Sequence, residues 1–218
     1  MRPASRQNRA TALIERLISA GVHGVISGGS TGENYAETVE ERLTLARFIV
    51  DQVKGRIPVV VGTGAMRTPD SMALAKGAKD MGADAILLAT PPYSVPTERE
   101  NALNALAIDR VADMPIILYN YPGRMGVSMG QEFLDRVGRS RNVIGIKESS
   151  GDTRRITDLR RVVGDRYSLF TGVDDLALES AILGIDGWVA GTGIAFPAQN
   201  QRLWELMQSG QWDKAREI

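Results

Sequence analysis

A chain of 218 residues, 43% hydrophobic and 24% charged, has the length and composition of one soluble domain with a sizeable core. Lys plus Arg and Asp plus Glu both number 26, which removes the electrostatic footprint expected of a nucleic-acid or anionic-membrane partner. With no cysteine and a single histidine, His23, disulfides, thiolate nucleophiles, multi-histidine zinc sites and His-based triads are excluded.

The opening "MRPASRQNR" is basic but lacks a signal-peptide core, and no apolar run approaches the roughly 20 residues of a membrane span. The cytoplasm is the expected location. An amphipathic helix is expected over "NRATALIERLISAG", followed by a strand at "VHGVIS" (22–27). Further short, β-branched runs follow at "IPVVVGTG" (57–64), "DAILLAT" (84–90), "PIILYNY" (115–121), "VIGIKE" (143–148), "YSLFTG" (167–172) and "DGWVAG" (186–191). Most are continuously apolar, as parallel strands buried on both faces should be. Between them the spacing predicts helices over 38–55, 68–82, 129–138 and 157–164, with Thr68 as N-cap and Pro69 in the first turn of the second.

Such a βα rhythm indicates a (β/α)8 TIM barrel or a doubly wound sheet. No dinucleotide or phosphate-loop fingerprint is present. Polar residues instead follow nearly every strand: Ser30 and Thr31, Thr63, Tyr93, Tyr119, Lys147, Asp174 and Asp175, Thr192. In a barrel these positions share one mouth, where active sites sit. The α/β fold expected is therefore an incomplete (β/α)8 TIM barrel in a single catalytic domain, 1–218, with seven recognisable strands. His23 opens its strand at the opposite end and takes a structural role.

Without Cys or His, a nucleophile, acid and base must come from Lys, Tyr, Ser/Thr and carboxylates. In "VIGIKE", period 2 puts Val143, Gly145 and Lys147 on one face, with Gly145 leaving room beneath the amine. Lys147 reads either as a surface partner of Glu148 or as a desolvated, neutral amine able to attack a carbonyl. Tyr119 shares a face with Ile117 and reads as a core phenol or as an acid/base near that lysine. "YPGR" is a turn signal presenting Arg124 at the rim, solvated or gripping a carboxylate. "SGGSTGE" offers amides and the Ser30 and Thr31 hydroxyls as an anion nest, with Glu33 bracing the loop. Asp174 and Asp175 could bind substrate hydroxyls or an amine, or Asp174 could cap the next helix.

In order along nearly the whole chain, "GGSTGE", "LYNYPGRMG", "IGIKESSGD", "TGVDD" and "GWVAGTG" resemble the dihydrodipicolinate synthase / N-acetylneuraminate lyase family of Schiff-base aldolases. The resemblance implies a lyase in which Lys147 forms an imine with pyruvate or a pyruvate-derived 2-keto acid. It makes Tyr119 the proton relay, Ser30 and Thr31 the carboxylate anchors, and Gly172, Asp174, Asp175 and Gly191 substrate-binding positions. Tyr93, in "TPPY", falls where the synthases carry a tyrosine that enters a neighbouring subunit's site, which implies a homodimer or homotetramer. No metal or organic cofactor is implied, because the protonated imine is itself the electron sink.

Arg124 matches the synthase branch, which condenses pyruvate with aspartate semialdehyde. Val173 before Asp174, and Ser30 in place of threonine, match the sugar-acid lyases, so a keto-deoxy sugar-acid aldolase or dehydratase, or a hydroxyproline-pathway deaminase, is the alternative. Family members carry a first strand and a C-terminal helical segment beyond those seen here. That difference raises a reading of another class, a non-catalytic remnant that binds a keto acid, and predicts two unpaired sheet edges.

Overall fold

A computed structural model describes residues 6–218, and the beginning of the basic "MRPASRQNR" stretch lies outside the described residues. Helix α1 (Arg6–Ser19) leads into β1 (Val25–Ser27), α2 (Val39–Val53), β2 (Val59–Gly62), α3 (Thr68–Asp80), β3 (Ala85–Ala89) and α4 (Glu98–Ala112). Then come β4 (Ile116–Asn120), α5 (Pro122–Met125), α6 (Gln131–Val137), β5 (Val143–Glu148), α7 (Arg154–Val163) and β6 (Ser168–Thr171). Helix α8 (Ala177–Ile182), β7 (Gly187–Trp188), α9 (Pro197–Gln208) and α10 (Trp212–Ala215) complete the order. The strands form one parallel sheet in sequence order, β1 to β7. All seven lie within the expected runs.

The continuous apolar runs are explained by two cores. Outward-facing Ile86 and Leu88 of β3, Ile116 and Leu118 of β4, Ile146 of β5 and Leu169 of β6 pack against Ala75, Ala78, Ala105, Ile108, Phe133 and Leu159 of the helices. The alternate residues Leu87, Ile117 and Tyr119 point inward with Ile26, Val60, Ala89 and Phe170. Each fully buried Ile or Leu contributes about 1.5–3 kcal/mol, so a strand with no polar face is stable only inside this double wrapping.

Helices α2 and α4 begin with capping boxes, Thr38 with Glu41 and Thr97 with Glu100. The expected N-cap of α3 differs: Arg67 occupies the cap position without a side-chain bond. Thr68 is the first helical residue, and its hydroxyl donates to Asn104 Oδ1 at 2.7 Å. Tying α3 to α4 satisfies that hydroxyl better than a local cap.

Val143 also departs from the alternation. A register shift, with Ile116 opposite Val143 and Ile117 opposite Gly145, turns Val143 into the outer core and leaves Ile144 44% exposed. The face shared by Gly145 and Lys147 survives. The space beside Gly145 is filled by Phe170, whose Cε2 would lie 2.9 Å from a Cβ there.

The barrel is incomplete: among the described residues β1 and β7 each have one strand neighbour and do not pair with each other. The helical layer spans this opening, where Arg16 of α1 donates to the Ala195 carbonyl and Gln201 of α9 lies 3.4 Å from the exposed His23. Among the described residues no helix is long and apolar enough to cross a membrane.

Candidate active site

Strands β4 and β5 place Tyr119 directly opposite Lys147 on the inner face. Lys147 is 9% exposed, and its Nζ stands 4.1 Å from the Tyr119 ring centroid. Burial is the main influence on this amine and pushes it down to about 8; the Asp174 charge opposes the fall and the Arg124 charge adds to it. Room for the side chain comes from Gly172, just past β6. A Cβ at that position would overlap both Lys147 Cε and Ser149 Oγ.

Glu148 does not pair with Lys147. It turns to the opposite face, 5% exposed, where Oε2 accepts from Asn120 Nδ2 at 2.7 Å and Oε1 from Ser150 N at 2.6 Å. The surface-pair reading of Lys147 is thereby overturned, because successive strand residues point to opposite faces. Asn120 also accepts from Met129 N at 2.9 Å, which fastens the β4–α6 connection to β5.

Burial raises the phenol of Tyr119, the larger effect, while the neighbouring Ser30 and Ser149 hydroxyls work to lower it. The Ser149 hydroxyl itself is buried and completes no hydrogen bond of standard geometry. It lies beside the Tyr119 phenol, so the two hydroxyls stand side by side in the mouth. Tyr121 stacks obliquely on Tyr119 at 5.8 Å, and Arg124, exposed on α5, lies 5.2 Å from the Tyr121 ring.

The glycine-rich segment after β1 forms a 3-10 turn over Ser30–Gly32, closed by Glu33 in the left-handed region at φ 58°. Asn34 Nδ2 donates to the Gly28 carbonyl at 2.7 Å. Beneath this loop the buried Arg42 donates to the carbonyls of Gly62 at 2.7 Å and Gly64 at 3.0 Å, pinning the end of β2. Ser30 thus meets the phenol, and Thr31 Oγ1 would lie 3.7 Å from a Cβ on Gly191.

Asp174 caps no helix. Its carboxylate accepts from Trp188 Nε1, Gly191 N and Thr192 N, linking the loops after β6 and β7. Asp175, next to it, is exposed. Tyr93 is 87% exposed with a left-handed φ of 69°. The structure therefore gathers Lys147, Tyr119, Ser30, Thr31, Gly172, Asp174 and Gly191 around one mouth, with Arg124 on its rim.

Ser149, Asn120, Arg42 and Trp188 are additions beyond the sequence expectations. Ser149 was accessible by pattern, since it lies two residues after Lys147 on the same face. The other three make long-range bonds that no local spacing announces. Among the described residues no three His, Asp or Glu side chains converge as metal ligands.

The family profile described as the dihydrodipicolinate synthetase family matches residues 5–218. The 4-hydroxy-tetrahydrodipicolinate synthase of Cellvibrio japonicus is 38% identical over 206 residues, covering 94% of this chain and 71% of that protein. The dihydrodipicolinate synthase from Acinetobacter baumannii, solved as a complex with pyruvate, superposes with a TM-score of 0.91 at 32% identity, covering 97% of this chain and 72% of that one. A catalytic-lysine mutant of the Ruminococcus gnavus sialic acid aldolase superposes at 0.94 with 28% identity, covering 97% and 70%.

Proposed function

The chain belongs to the dihydrodipicolinate synthetase family, a family of lyases, and on that premise we propose that Lys147 forms an imine with pyruvate or a pyruvate-derived 2-keto acid. One observation carries the reading: a buried amine, brought down to about 8, directly beside a buried phenol in the barrel mouth. The neutral amine adds to the keto carbon, and loss of water from the carbinolamine gives the imine. Tyr119, with Ser30, moves the protons that addition and dehydration require. The substrate carboxylate lies against the Ser30–Thr31 turn, whose Ser30 hydroxyl reaches the Tyr119 phenol and whose Thr31 hydroxyl lies beside Gly191. The protonated imine then withdraws electrons from the keto-acid carbons, so that a proton leaves C3 and an enamine forms.

The second half-reaction we assign is that of a 4-hydroxy-tetrahydrodipicolinate synthase: the enamine attacks the aldehyde of aspartate semialdehyde, whose carboxylate Arg124 holds, and cyclisation follows. Exposure of Arg124 at the rim, above Tyr121, supports this choice. A sugar-acid aldolase is the second reading, favoured by the buried Ser149 hydroxyl near Lys147 and the Tyr119 phenol, which offers a contact for a hydroxylated keto acid. The exposure of Tyr93 supports a homodimer or homotetramer in which that ring is covered.

Reductive trapping tests the proposal. The protein is incubated with pyruvate, reduced with borohydride, weighed intact and mapped by peptide mass. A pyruvate-sized adduct on Lys147 is expected. No adduct from a folded sample, with pyruvate or with a panel of sugar-derived keto acids, would replace the lyase reading by a non-catalytic keto-acid binder.

A further inference from the structure

Asp174 is already committed on both carboxylate oxygens. Oδ1 accepts from Trp188 Nε1 at 3.0 Å and from Gly191 N at 3.1 Å, and Oδ2 accepts from Thr192 N at 2.9 Å. A carboxylate offers about four acceptor positions, so β7 and the loop after it take three of them. The same loop is also tied by Val189 N to the Thr171 carbonyl at 2.9 Å and by the Asn200 side-chain amide to Thr192 Oγ1 at 2.8 Å, but Asp174 is the carboxylate that joins Gly191 and Thr192 to the segment after β6. Strand β7 is two residues long and, among the described residues, is paired only with β6. Gly191 packs directly on this anchor: a Cβ there would lie 3.1 Å from Asp174 Oδ2 and 3.7 Å from Thr31 Oγ1. The Asp174 carboxylate and the Thr31 hydroxyl thus both lie against Gly191.

Resting on the imine reading above, we propose that Asp174 is a positioning residue rather than a ligand for substrate hydroxyls. It clamps the loop after β7 over the mouth and supplies the fixed negative charge facing the Lys147 nitrogen. The Tyr119 ring of β4 stands 4.1 Å from that nitrogen, and the charges that act on it are Arg124 of α5 and Asp174 of the segment after β6. Glu148, on the lysine's own strand, faces away toward Asn120 and Ser150. Burial and Arg124 both drive the proton off Lys147; Asp174 holds it on. An imine is an electron sink only when protonated, so the same charge that moderates the free amine stabilises the iminium. The three N–H donors keep the carboxylate aimed, which costs it the freedom to follow a substrate hydroxyl.

The test reads the charge and the clamp separately, with the full chain and no substrate. Trace acetylation across the neutral-to-alkaline range, with peptide mass mapping, gives the titration midpoint of Lys147, and the exposed Lys54 and Lys214 serve as internal references. In Asp174→Asn the Lys147 midpoint is expected to fall, on the order of half a unit, while the references stay. Asp174→Glu keeps the charge and so keeps the midpoint, yet its longer side chain misfits the three donors and speeds amide exchange over residues 189–192. Trp188→Phe, which removes one donor and no charge, should likewise leave the midpoint and speed that exchange.

An unmoved midpoint in folded Asp174→Asn overturns the electrostatic half. Unchanged loop exchange in both Asp174→Glu and Trp188→Phe overturns the clamp. If Asp174→Asn does not fold, a fallen midpoint in Asp174→Glu overturns the electrostatic half, because that variant retains the charge. Failure of pyruvate trapping in the unaltered protein would remove the imine reading without touching either measurement.

Discussion

Lys147 and Tyr119 are direct cross-strand partners, and the amine lies 4.1 Å from the centroid of the phenol ring. Burial acts on the two groups in opposite senses, lowering the lysine to about 8 and raising the tyrosine. Both changes favour the neutral forms. A neutral amine beside a neutral phenol is the pair that carbonyl addition and proton return require.

Lys147→Met should abolish borohydride-dependent adduct formation and leave the fold intact. It also has a stability signature. The folded protein holds this proton less tightly than the unfolded chain, so the penalty is fully present below about pH 8 and is relieved as the pH rises toward 10.5. The variant is expected to be more stable than the parent near neutrality, by up to about 3 kcal/mol. That gap should close between about pH 8 and the range where tyrosines ionise. Denaturant melts at several pH values check the sign; a gap that widens with pH contradicts the assigned burial.

Tyr119→Phe keeps the ring against Lys147 and removes the hydroxyl. Imine formation should slow by about 10²–10⁴-fold, with a much smaller change in pyruvate affinity. Stopped-flow or quenched trapping rates measure it. An unaltered rate would assign the proton transfers elsewhere, with Ser149 the next group to examine.

Gly172→Ala places a methyl group where Lys147 Cε and Ser149 Oγ already are. The lysine must shift, and a displacement near 1 Å costs on the order of 10²-fold in rate. Trapping kinetics should show the loss in a protein whose circular dichroism is unchanged. Normal kinetics would mean that the lysine has slack that this packing does not suggest.

Arg124→Ala should raise KM for a carboxylate-bearing aldehyde by about tenfold or more, the size of a lost charge-assisted contact, while that for pyruvate changes little. Equal effects on both substrates would remove the reason to prefer the synthase branch over a sugar-acid aldolase.

The strands were legible because a doubly wrapped parallel strand needs an uninterrupted apolar run, and most of the seven runs are continuously apolar. Lys147 and Tyr119 were legible for a related reason. A polar side chain at the end of such a run, in phase with its inner face, has only the mouth to enter. The register shift at Val143 was not legible, since it depends on how β4 and β5 slide against each other rather than on either run alone. Thr68 was misread because its competing partner, Asn104, lies on another helix.

Composition, strand rhythm and ordered motifs by themselves determined the barrel architecture, the family resemblance and the candidate imine-forming pair. The architecture follows from local periodicity; the roles of Lys147 and Tyr119 as an imine-forming pair follow from the ordered motifs and the family they resemble, since each residue alone also allowed a structural reading. Only the tertiary structure decided that Glu148 turns away from Lys147 and that Asp174 is consumed by Trp188, Gly191 and Thr192. It likewise decided that Gly172 makes the space the lysine occupies and that the Ser149 hydroxyl is brought beside the Tyr119 phenol. Each is a competition among polar groups for partners brought together from distant segments. The winner is set by distances that exist only once the sheet has curled.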